Sequence, residues 1–131
     1  MKYRKGYKYQ LAEDEVFKTK VIGYSIDTKF IRLTLVGILT AKSGYAWNGA
    51  DVIPDLKKVL RGSCGHDAGY QLIREGLIPL SERPHIDLLL FDCCIEDGLT
   101  EVFANIVLEG VKDFGETAAT NKNTYPVLTA P

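Results

Sequence analysis

The sequence is short of what would mark a disulfide-stapled, membrane-spanning or strongly charged protein. Three cysteines, Cys64, Cys93 and Cys94, occur in 131 residues. An odd count with two neighbours in an apolar stretch argues against a disulfide framework and for small buried side chains. A zinc site from Cys64, Cys93 and His85 is the alternative, but it lacks a C-x-x-C pair. Charge of one sign is also missing. Sixteen Lys and Arg against seventeen Asp and Glu leave a formal charge of −1, so no whole-protein field draws the chain to DNA or to an anionic membrane. No apolar run approaches the length of a membrane span. The start, Met1-Lys2-Tyr3-Arg4-Lys5, is basic, yet no apolar core of a signal peptide follows it, and a cytoplasmic location is the expectation.

What is present suits one packed domain of mixed type. Apolar residues make up 46% and charged residues 25%, near the globular average. The first half reads as β. Short alternating runs occur at residues 7–11 and 16–21, with turn chemistry at Gly23 and Asp27-Thr28-Lys29. Residues 30–39 read as one long or bent strand, with Gly37 marking a bulge. Three or four antiparallel strands are expected. Residues 42–54 hold two glycines, an Asn-Gly pair and the single tryptophan, and read as a loop. There Trp47 either plugs the core edge or lines a substrate pocket.

The second half reads as helical. Leu56 to Leu60 forms one short turn, and a helix follows from Gly62 or Ser63 to Glu75, with Gly76 ending it in the left-handed conformation. Ser81 is the natural N-cap of a second helix, with Pro84 in its first turn and Gly98 beyond its end. That helix is apolar almost all round, as expected of a central one. A third runs from Thr100 to Phe114, closed by Gly115. The expected organisation is a single α+β domain over residues 1–115, with an extended or disordered tail over 116–131.

Two features break the local rules. His66 and Asp67 sit mid-helix among Cys64, Gly65, Ala68 and Gly69, whose small size lets another backbone approach. Tyr70, four residues after His66, shares its side of the helix. Asp87 lies inside the most apolar helix of the chain, where a carboxylate must be paired or hydrogen-bonded. Two antiparallel helices would bring Asp87 against His66 or Tyr70. With one imidazole nitrogen facing Asp87, the other is free to act as a base. The plainer alternative is that Asp87 only satisfies buried donors.

The ordered set Trp47-Asn48-Gly49-Ala50, Pro54, Arg61-Gly62-Ser63, His66-Asp67-x-x-Tyr70 and Arg83-x-x-x-Asp87 resembles an uncharacterised phage and prophage family. Its recurrent text is W-[DN]-G-A-S-x-P, H-D-x-L-Y and R-x-x-A-D. The likeness spans roughly residues 45–115, with Asp51 where serine is usual and Ile86 where alanine is usual. The order of a loop oxygen donor, His-Asp-x-x-Tyr on a helix and Asp on an antiparallel helix is also similar to prokaryotic secreted phospholipase A2. That resemblance implies a catalytic His66, oriented by Asp87 and accompanied by Tyr70. It further implies a Ca²⁺ ion held by Asp67, Asn48 and the carbonyl region of Gly49.

The expected function is thus a phage-encoded, hydrolase-like protein acting on a small-molecule or lipid ester, or on an amide, in the host cytoplasm. The alternative is a non-enzymatic virion component or host-interaction factor that keeps the His-Asp-Tyr network for packing. In that version the Tyr- and Lys-rich start (Lys2, Tyr3, Arg4, Lys5, Tyr7, Lys8, Tyr9) docks on a phage or host protein. A nucleic-acid role has only this small basic cluster in its favour, and no reader motif appears.

Overall fold

The structure, a computed structural model, describes residues 1–5, 9–48 and 57–120. Antiparallel strands in two sheets precede three helices, the α+β arrangement expected. The strands are β1 (Tyr3–Lys5), β2 (Tyr9–Leu11), β3 (Glu15–Lys18), β4 (Ile26–Asp27), β5 (Ile31–Leu33), β6 (Ile38–Ala41) and β7 (Ala46–Trp47). One sheet has the order β1-β2-β7 and the other β3-β6-β5-β4. The described strands are therefore more numerous and shorter than the three or four expected.

The stretch 30–39 is a hairpin, not a single strand. Gly37 N–H donates to Thr34 O at 2.9 Å, and Gly37 takes φ +87°, which folds the chain back so that Leu33 faces Leu39. Only glycine reaches that conformation without strain, so the residue reverses the chain where a bulge would merely bend it. The reading of 42–54 as loop also needs correction at Ala46–Trp47, which pairs with β2 through Tyr9↔Trp47 and Gln10↔Ala46. Gly49 to Pro54 lie outside the described residues, as do Gly6 to Lys8.

The helices are α1 (Lys57–Arg74), α2 (Arg83–Glu96) and α3 (Glu101–Thr120). The short turn expected before Gly62 is continuous with α1, because Gly62 is held in the helix by packing. A Cβ there would lie 2.9 Å from Leu90 Cδ1. Ser81 is not an N-cap. It falls inside a 3₁₀ turn, Leu80–Glu82, and Glu82 occupies the cap position of α2, with Pro84 in the first turn. Helix α3 runs past Gly115 to Thr120, so residues 116–120 are helical and not extended. A glycine weakens a helix by about 1 kcal/mol but does not end one unless it turns left-handed. Residues 121–131 lie outside the described residues.

Gly76 and Gly98 do turn left-handed, at φ +74° and +95°. Each closes its helix with the paired bonds of a Schellman motif: Gly76 N–H to Ile73 O and Leu77 N–H to Leu72 O, then Gly98 N–H to Ile95 O and Leu99 N–H to Cys94 O. The first of these stops sends the chain back so that α2 lies antiparallel to α1. Gly62, Gly65 and Gly69 line the contact. At Gly69 a Cβ would stand 2.6 Å from Ile86 Cδ1, and at Gly65 it would stand 2.9 Å from the Phe17 ring. The glycines thus seat α2 and β3 directly against the backbone of α1. The main core lies between the sheets and these helices, built on Phe17, Ile31, Leu39, Tyr45, Trp47, Leu72 and Ile86.

Candidate functional site

The close seam between α1 and α2 holds the polar residues that the sequence singles out. His66 Nε2 lies 2.8 Å from Asp87 Oδ1. Tyr70, one turn further along α1, donates its hydroxyl to the same oxygen at 2.5 Å. The His66 and Tyr70 rings are 4.0 Å apart, centroid to centroid. Asp87 is 2% exposed and His66 7%. An ionised carboxylate only accepts, so Nε2 carries the proton and donates. Nδ1 is then left with its lone pair, and among the described residues it has no hydrogen-bond partner.

Burial, followed by the bond to Asp87, drives the Tyr70 hydroxyl well above its ordinary range, so it stays a donor at any physiological pH. Arg83 completes the surroundings of Asp87. Its Nε is 3.7 Å from Oδ2, one helical turn before the acid, and its guanidinium donates to Lys112 O of α3 at 2.6 Å. The residues engaged through this one carboxylate therefore link all three helices. The i, i+4 spacing of Arg83 and Asp87 is the sequence signal for this contact.

The remaining candidates go elsewhere. Trp47 is wholly buried, stacks on Tyr45 at 6.3 Å and tilts against Tyr9 at 5.5 Å. Its indole N–H donates to Ser63 Oγ at 3.0 Å, and Ser63 donates to Leu60 O. Trp47 is thus a core plug tied to α1 three residues before His66, with no surface left for a substrate. The role of Ser63 as its anchor gave no sequence signal beyond being small. Asp67 is half-buried and its charge acts on Tyr45 and Cys64; burial first, then this charge, pushes both groups well up. Asn48 is half-buried directly after β7, and Gly49 lies outside the described residues.

Calcium ordinarily takes six to eight oxygens. Among the described residues no group of three or more His, Cys, Asp or Glu is placed to hold a metal ion. Asp67 and Asn48 do not by themselves amount to a calcium site. The zinc alternative is not assembled either: His85 instead meets Glu82, Nδ1 to Oε1, at 2.8 Å. The three thiols are buried and free, and burial raises Cys93 to about 12 and Cys94 to about 11. Such thiols are poor nucleophiles and poor ligands.

Fold and site together define an α+β domain with a histidine–carboxylate pair across a glycine-lined helix seam. No protein-family model matches the chain, and neither a curated protein nor a solved structure matches it. The chemistry therefore rests on the geometry of the pair itself.

Proposed function

We propose that the chain is a phage-encoded, hydrolase-like protein in which His66 is a general base for water attacking an ester or amide carbonyl. The supporting observation is the bond between His66 Nε2 and Asp87 Oδ1. With Nε2–H committed to the carboxylate, Nδ1 accepts the proton of the attacking water and later returns it to the leaving group. The Asp87 carboxylate accepts from Nε2–H, which fixes the tautomer, and it stabilises the transient imidazolium. Tyr70 and Arg83 hold Asp87 in place and touch no reacting atom. Calcium is a separate part of the proposal, with Asp67 and Asn48 as oxygen donors; no step above runs through it. The host cytoplasm is the proposed place of action.

The test is a screen of esterase, lipase and amidase substrates, with and without Ca²⁺, run beside His66→Ala. Turnover by the full chain that vanishes in the variant supports the reading. No turnover with any substrate, or full turnover in the variant, overturns it.

A second reading has its own observation. Because His66 is 7% exposed and the network on Asp87 spans three helices, the same groups serve as a purely structural tie in a non-enzymatic virion or host-interaction protein. Mass spectrometry of purified particles tests the virion version, which absence from the particles removes.

A further inference from the structure

We propose that two paired turns at one end of the four-stranded sheet form a docking point for an anionic lipid surface. The inference does not depend on the catalytic reading of His66. At this end three aliphatic side chains stand in solvent: Ile22 is 63% exposed, Leu35 61% and Val36 73%. Leu35 and Val36 occupy the tip of the β5–β6 hairpin, and Ile22 lies in the turn that leaves β3.

The two turns form one rigid unit. Thr19 N–H donates to Gly37 O at 2.9 Å, and Gly23 N–H donates to Leu35 O at 2.9 Å. Thr19 Oγ1 donates to Gly37 O and accepts from Val21 N–H. The approach is so close that a Cβ on Gly37 would lie 2.5 Å from Thr19 O. The apolar side chains are therefore presented outward by a fixed backbone, so little ordering is needed on binding.

Charge selects the surface. Lys18 and Lys20, both exposed, are the only charged residues in 16–26, and the stretch 33–41 has none. Among the described residues Glu82 reaches this part of the chain through Tyr24, and its carboxylate is also bound by His85. A net charge of −1 spread over the protein does not cancel two lysines beside an apolar tip, because screening confines their action to about 8 Å. Size and shape favour lipid over protein. Three side chains on a convex tip offer far less than the roughly 800 Å² per partner of a stable protein interface. The same tip can enter the boundary between headgroups and acyl chains while the lysines meet the phosphates.

The experiment is co-sedimentation of the full chain with vesicles of phosphatidylcholine alone or mixed equally with phosphatidylserine. Binding is expected to the mixed vesicles and to weaken in high salt. Lys18→Gln with Lys20→Gln should lower affinity by roughly fivefold per lysine. Leu35→Ser with Val36→Ser should reduce binding to background, and Ile22→Ser provides a second apolar variant should that pair alter the melting curve. Wild-type protein that stays in the supernatant with both vesicles overturns the proposal, as a patch made for a protein partner would. Equal binding by wild type and both sets of variants overturns it too.

Discussion

The molecule contains two histidine–carboxylate pairs with the same 2.8 Å separation, His66–Asp87 and His85–Glu82. The first joins two helices across twenty-one positions, with side chains 9% and 3% exposed. The second lies within one turn, with the histidine side chain 44% and the glutamate side chain 16% exposed. Distance therefore says little about what either does. A surface pair is screened and contributes about 0–1 kcal/mol. A buried pair cannot lose one partner without leaving the other uncompensated, which costs about 3–5 kcal/mol. Only the buried pair is shielded from water on both sides, with His66 7% and Asp87 2% exposed.

Breaking the buried pair should give the largest effect. Asp87→Ala removes the acceptor shared by His66 and Tyr70 and strands both, so urea denaturation should show a loss of about 3–5 kcal/mol. A loss no larger than that of a surface mutant would erase the contrast between the pairs.

The seam that brings the first pair together can be tested through its glycines. Gly69→Ala forces a Cβ against Cδ1 and Cγ2 of Ile86, at 2.6 and 2.7 Å. Ile86 is fully buried and branched, so it cannot step aside. The clash, about 1–3 kcal/mol, should outweigh the helix-propensity gain of under ~1 kcal/mol. Gly110→Ala in α3 is the control. A Cβ there meets nothing within 4 Å, so the same propensity gain should stabilise by about 0.5–1 kcal/mol. Thermal melts that move in opposite directions would establish that the seam depends on close approach.

Alkaline pH gives a graded effect. Burial raises Cys94 from 9.0 to about 11 and Cys93 from 9.0 to about 12, and Tyr70 also titrates above its ordinary 10.0. Each group keeps its proton in the folded chain after the unfolded chain has lost it. Stability should be full below about pH 9 and fall as pH climbs through 11 to 12. A melting temperature flat across that window would show these groups to be more open than the fold places them.

The smallest effect belongs to the surface pair. Opposing its partial burial, bonds from His85 and Tyr24 hold the Glu82 carboxyl below its usual range. Glu82→Gln should still change stability by no more than about 1 kcal/mol. A change as large as that of Asp87→Ala would mean that exposure does not separate the two pairs.

The site was more legible in the sequence than the strands were. Asp87 in an apolar helix demanded a donor, and the i, i+4 spacing put His66 and Tyr70 on one face; both reach it. Gly76 announced the stop that turns α2 antiparallel, although Ser81 did not cap, because a 3₁₀ turn uses that residue first. Strand β7 was hidden because its partner β2 lies far back in the chain (Tyr9↔Trp47, Gln10↔Ala46), a pairing that no local pattern of glycines and Asn-Gly discloses. The unbroken α1 was hidden for a related reason. Propensity counts Gly62 against a helix, whereas its contact with Leu90 and Cys93 favours one.

The most direct test of the His66 assignment is its ring tautomer, read by long-range nitrogen–proton correlation NMR at neutral to mildly alkaline pH. The wild type is expected to show the Nε2–H form, with Nδ1 unprotonated, and Asp87→Asn to lose that fixed preference. An Nδ1–H tautomer, or an imidazolium across the whole range, would contradict it.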